Sequence, residues 1–269
     1  MPPNHPVPME FLTIFLASLI TLVSPTGTVV DTVAQRTIRS QFTQVESLQV
    51  RIDNAPAHQL LQGRVERVRL AGRGLFLRQD IRLDTLELET DSIAVNFRRR
   101  GKTQLIQPLQ IASRMVLTEA DLNRALASPT VTNWLKQVGS RVVLGDNNAR
   151  RAQRFEFLNP QIKLLESGRF QLLISLREIN DPARLDILIE TGLAVDQGRE
   201  LQLVEPKAWV NNVAVADPVI DTLTSGFPAR TDLRQLERTG VLARILNLKL
   251  QAGRMEIISF VQVAAGTKL

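Results

Sequence analysis

Three four-residue turns of one kind constrain this chain more than any other feature: Glu166-Ser167-Gly168-Arg169, Asp196-Gln197-Gly198-Arg199 and Gln251-Ala252-Gly253-Arg254. Each sits between two runs in which apolar and polar residues alternate. Glycine in the third place supplies the positive φ that short hairpin loops require. The alternation is plainest in Phe170, Leu172, Ile174 and Leu176, in Leu185, Ile187 and Ile189, and in Leu246, Leu248 and Leu250. A period of two puts these residues on one face of a strand and leaves the other face wet, as in antiparallel sheets. Repeated hairpins predict a meandering sheet rather than β-α-β crossovers. The 170–176 and 185–189 runs are expected to pair antiparallel with their apolar faces on one side.

Helices are expected to interrupt the sheet. Thr118-Glu119-Ala120-Asp121 resembles a capping box ahead of Leu122, Ala125 and Leu126. Ser128-Pro129 restarts a helix that Gly139 stops, Asp217-Pro218 opens one through Leu223, and Asp232 opens one that Gly240 closes. Upstream, Val30, Val33, Ala34 and Ile38 recur at helical spacing, predicting an amphipathic helix over 28–42. The polar stretch 141–154 reads as a loop inside a single domain covering 25–263. An apolar segment, 1–24, precedes that domain and a tail, 264–269, follows it.

Composition removes several chemistries. The chain has no cysteine, so neither a disulfide framework nor a thiolate site exists. Its two histidines, His5 and His58, fall in polar, loop-like stretches. Asp84, Glu87, Glu89 and Asp91 cluster, but Glu87, Glu89 and Asp91 alternate with Leu86 and Leu88 and read as a solvated strand face. Gly72-Arg73-Gly74 reads as a bulge or turn, and no phosphate-loop or nucleophile-elbow motif occurs. No catalytic residue, metal ligand or cofactor is assigned. A net charge of +6, mostly from arginine, suits phosphate. Only 4% of residues are aromatic and tyrosine is absent, which argues against base stacking and hence against a nucleic-acid partner.

Two surfaces point toward a membrane. Residues 11–23 are strongly apolar, led by Phe11, Ile14, Phe15 and Leu19, and no Lys or Arg precedes Arg36. The segment fits a signal-like stretch, membrane contact or an internal helix; a spanning helix is spoiled by Ser24, Pro25 and Gly27. Arg98-Arg99-Arg100 with Lys102 forms a basic run at a turn, read either as a solvated rim or as an attractor of anionic lipid head groups. Arg64, Arg67, Arg69 and Arg73 form a second basic group whose neighbouring acids offer partners.

The run from Leu60 to Leu75, the segment Leu86-Glu87-Leu88-Glu89-Thr90-Asp91, the segment from Leu117 to Asn123, and the stretch from Asp232 to Arg244 together resemble the LmeA-like phospholipid-binding family of bacteria. The likeness runs from about 25 to 263. It implies an α+β fold similar to tubular lipid-binding domains: a strongly curved antiparallel sheet wrapped around a long helix, with a few short helices and an apolar groove for acyl chains. It also implies non-catalytic phospholipid binding or transfer at an envelope membrane. The alternative is a membrane-attached structural protein without a ligand cavity. Groove candidates are Phe170, Leu172, Ile174, Leu176, Leu185, Ile187 and Ile189.

Overall fold

The computed structural model describes residues 31–53, 63–97, 103–129, 131–132, 155–179, 184–225 and 231–267. These form mostly antiparallel sheet with a few short helices, in two compact units. The first comprises residues up to Val116 together with Leu233–Leu246 and Ile257 onward; the second comprises Leu117–Asp232 and Asn247–Glu256.

In the first unit, helix α1 (Asp31–Arg39) precedes strand β1 (Gln44–Asp53). There follow β2 (Arg64–Val65), β3 (Arg67–Arg78), β4 (Ile81–Thr90), β5 (Ile93–Phe97), β6 (Thr103–Leu105) and β7 (Leu109–Thr118). The chain returns late through a 3-10 helix (Leu233–Thr239), β13 (Val241–Gln251) and β14 (Arg254–Val263), whose hairpin end, Asn247–Glu256, belongs to the second unit. One sheet has the order β1-β3-β4-β7-β14-β13 and another the order β2-β5-β6. The core of this unit is closed: Ile38, Leu75, Ile93, Leu109 and Val263 are completely buried.

The wet face of the larger sheet is a lattice of charges. Arg51 and Arg69 both bind Asp53, Arg67 lies 3.3 Å from Glu89, and Arg114 lies 3.3 Å from Glu87. The hydrogen bond from Arg69, ahead of that from Arg51, holds the Asp53 carboxyl below the usual range. Gly72-Arg73-Gly74 makes no turn; it lies inside the continuous strand β3, with an irregular backbone at Gly74, where φ is +57°. That positive φ is what favours glycine at this position; the Glu46 side chain that a β-carbon would meet is flexible and able to move aside. Leu246 departs from the expected inward face and is 63% exposed, whereas Leu248 and Leu250 on the same alternation are half-buried.

In the second unit, helix α2 (Glu119–Leu126) leads to β8 (Phe155–Leu164), β9 (Arg169–Glu178), β10 (Arg184–Asp196), β11 (Glu200–Val210), β12 (Val213–Ala214) and helix α3 (Asp217–Thr224). The sheet order is β12-β11-β10-β9-β8. The capping box forms as expected: the Asp121 amide donates to Thr118 Oγ1 at 3.2 Å, and the Thr118 amide donates to Asp121 Oδ2 at 3.0 Å. All three glycine turns close hairpins, with positive φ at Gly168, Gly198 and Gly253. The described helices are nine, eight and eight residues long. None is long and apolar enough to cross a membrane.

Candidate functional site

The five-stranded sheet brings the groove candidates together. Leu176 pairs with Leu185, Ile174 with Ile187, and Leu172 with Ile189, so both apolar sets share one face in the expected antiparallel register. The face continues outward through β11 and β12, since Ile187 pairs with Val210 and Val210 with Val213. On the other side, Ile162 pairs with Leu172 and Leu164 with Phe170.

Two β-bulges keep this face in phase. In β8, Asn159 and Pro160 stand against the single residue Ile174; in β11, Glu205 and Pro206 stand against Thr191. Asn159 has φ of +47° and Glu205 of +46°. Proline has no N–H to give to a ladder, so it suits a position that the bulge leaves unpaired. The carbonyls freed at the second bulge are taken up locally. Thr191 Oγ1 donates to Val204 O at 3.0 Å, and Arg169 Nη2 donates to Glu205 O at 2.9 Å.

Burial is uneven across the face. Leu176 is 2% exposed and Ile174 8%, whereas Leu172, Ile187, Ile189 and Val210 are half-buried. Exposure rises to 37% at Leu185 and 70% at Val213, and Val219 on α3 is 49% exposed. The first unit also has half-buried apolar side chains, among them Ile257, Ile258 and Phe260 on β14, and exposed ones at Ile106 and Leu246, beside its fully buried core. Among the described residues of the second unit, the buried apolar side chains are Leu164, Ile174, Leu176, Ala208 and Ile220.

The opposite face carries internally paired polar side chains on either side of an apolar row, Leu173, Leu188 and Trp209. Ser175 Oγ donates to Asp186 Oδ1 at 2.6 Å, as does Arg184 Nε. Gln171 Nε2 donates to Glu190 Oε2 at 2.9 Å and Arg169 Nε to Glu190 Oε1 at 3.0 Å. These bonds lower both carboxyls below their ordinary range: that from Ser175, then that from Arg184, acts on Asp186, and that from Gln171, then that from Arg169, acts on Glu190. The arrangement stabilises ionised carboxylates and offers no proton to a substrate near neutrality.

The acids singled out in the sequence also have structural partners. Besides the pairs above, Arg82 lies 3.5 Å from Asp84, and Asp91 Oδ1 accepts the Gln110 amide at 2.8 Å. Among the described residues no cluster of His, Asp and Glu is able to hold a metal ion. Phe11, Ile14, Phe15 and Leu19, and likewise Arg98, Arg99, Arg100 and Lys102, lie outside the described residues.

With an apolar sheet face partly open along one unit, the family comparison becomes decisive. The chain matches the model of the LmeA-like phospholipid-binding family over residues 23–259. It belongs to that family. The match takes in strands of both units and the whole of the apolar face, and the family is a lipid-binding one rather than a family of enzymes. Comparison with curated proteins and with solved structures found no match.

Proposed function

We propose that this LmeA-like chain binds phospholipid without catalysis and carries or presents it at a bacterial envelope membrane. The acyl chains lie along the apolar face, over Phe170, Leu172, Ile174, Leu176, Leu185, Ile187 and Ile189. The observation that supports this reading is the apolar face itself: a family member that binds lipid needs apolar surface not already filled by its own side chains, and this face runs from buried Leu176 through half-buried Leu172, Ile187 and Ile189 to exposed Leu185 and Val213. Each methylene moved from water onto such a surface gains about 0.8 kcal/mol, so a long chain binds without any dedicated polar contact. In the tubular fold that the family likeness implies, the strongly curved sheet wraps a long helix and shelters the guest. Residues 11–23 supply membrane contact, and Arg98, Arg99, Arg100 and Lys102 supply attraction to anionic head groups.

Native mass spectrometry of gently purified protein tests this reading. Co-purified phospholipid is expected, and its amount should fall when Ile187 and Leu172 are replaced by aspartate. Protein that is reproducibly empty after purification from intact membranes would overturn it.

A further inference from the structure

Among the described residues, the arginines of the five-stranded sheet and its turns are paired, with one exception. Arg169 donates to Glu190, Arg177 to Glu156, and Arg184 to Asp186. Arg199 follows the turn that joins β10 to β11; its backbone amide donates to Asp196 O at 2.8 Å, closing that turn. Its side chain makes no hydrogen bond or ion pair with any described residue, yet its Nε is shut off from solvent. A guanidinium N–H that has lost its water and gained no acceptor is rare, because such a group normally finds a partner or an ordered ion.

Among the described residues the surroundings offer no substitute. Thr231 Oγ1 occupies both backbone groups of Leu201, accepting its N–H at 3.1 Å and donating to its C=O at 3.2 Å. Glu200 is engaged with other partners. The turn terminates the apolar face: just beyond it Val195 pairs with Leu201 and Leu193 with Leu203, on the strand alternation that continues to Ile189, Ile187 and Leu185.

We propose that Arg199 receives an anionic phosphate oxygen of the lipid head group, at the Asp196–Arg199 end of the face. This rests on the reading that the face holds acyl chains, and it gives the bound lipid a direction: phosphate at the turn, chain ends toward Leu185. The span is sufficient. Ten strand steps from Val195 to Leu185 cover about 33 Å, against about 15 Å for one leaflet of a bilayer's hydrocarbon core. The planar guanidinium also provides two parallel donors for a phosphate, which an ammonium does not.

The test compares two fluorescent lipids with identical acyl chains, phosphatidylglycerol and diacylglycerol, on wild-type protein, R199Q and R199K. Wild-type protein should prefer the phospholipid. R199Q should lose about tenfold or more of its phospholipid affinity, the usual scale for a charge-assisted bond, with diacylglycerol uptake unchanged and R199K intermediate. The thermal midpoint of R199Q should hold, since no protein acceptor is lost. An undiminished phospholipid preference in R199Q overturns the assignment, and so does a large fall in its midpoint, which would reveal a structural partner. Inorganic phosphate that binds wild-type protein but not R199Q, while lipid preference is the same in both, would identify a free-phosphate site and also overturn it. If wild-type protein takes up neither lipid, the acyl-chain reading fails and the head-group assignment falls with it. Uptake of both lipids without preference leaves that reading intact and overturns Arg199 alone.

Discussion

Asn123 pairs with Ile162 as a neighbouring strand would: its Nδ2 donates to the Ile162 carbonyl at 2.9 Å, and its Oδ1 accepts the Ile162 amide at 2.8 Å. Two residues on, Glu119 Oε2 accepts the Leu164 amide at 2.8 Å. Strand β8 is an edge of its sheet, so helix α2 answers backbone groups that would otherwise stand open.

Asn123→Ala should therefore destabilise the second unit by about 1–3 kcal/mol, the cost of leaving a partly buried donor and acceptor unmet. The midpoint of denaturant unfolding measures this, and amide exchange at Ile162 should accelerate in parallel. An unchanged midpoint together with unchanged exchange would show that the clamp contributes nothing.

The apolar face should respond to bulk according to position. Leu176→Trp meets a nearly closed site and should cost about 1–3 kcal/mol through overpacking. Ile187→Trp, in the half-buried part, should leave stability nearly unchanged while uptake of a fluorescent phospholipid falls. The claim fails if Ile187→Trp loses as much stability as Leu176→Trp and binds lipid normally.

Acid should loosen the second unit in a defined direction. Glu190 and Asp186 have folded-state pKa values below their unfolded ones, so each stabilises the fold above its unfolded pKa, and that contribution disappears as pH falls through the depressed folded value. Glu190→Gln should flatten the acid limb of thermal midpoint against pH and leave the neutral-to-alkaline limb unchanged in shape. A wild-type acid slope in this variant would remove Glu190 from the explanation.

Replacing Arg98, Arg99, Arg100 and Lys102 with glutamine should weaken binding to anionic vesicles, and do so less as salt rises, because surface attraction decays within a Debye length. Binding to neutral vesicles should be unaffected. Equal losses on both vesicle types would mean that the substitutions act on the fold and not on surface attraction.

Much of the sheet was legible because its signals are local. Gly168, Gly198 and Gly253 have positive φ for reasons contained in their own turns, and the alternation from Phe170 to Ile189 sets the pairing of β9 with β10. The Thr118–Asp121 cap is equally local. Leu246 departed from the expectation while Leu248 and Leu250 on its alternation are half-buried, since alternation does not say how far along a strand face the cover extends; that depends on neighbours remote in sequence. The Asn123 clamp depends on β8, 39 residues away, and an asparagine in a helix carries no mark of such a partner. The bulges did leave a trace. Asn159-Pro160 and Glu205-Pro206 each place proline inside a run that otherwise reads as strand, and proline there signals an interrupted ladder. Arg199 was hidden for another reason, since a guanidinium without a partner among the described residues becomes visible only once their acceptors are assigned.

The bulge at Glu205-Pro206 also sets how this stretch of chain can change in length. Leu201 and Leu203 occupy odd positions while Ala208 and Val210 occupy even ones, yet all four fall on one side of the sheet because the bulge absorbs one residue between them. Loss or gain of a single residue between Val204 and Lys207 would rotate one pair into water, whereas a two-residue change would keep both pairs in step. Family members that vary in length here should do so in even steps, and an odd change should be accompanied by inverted polarity on one flank.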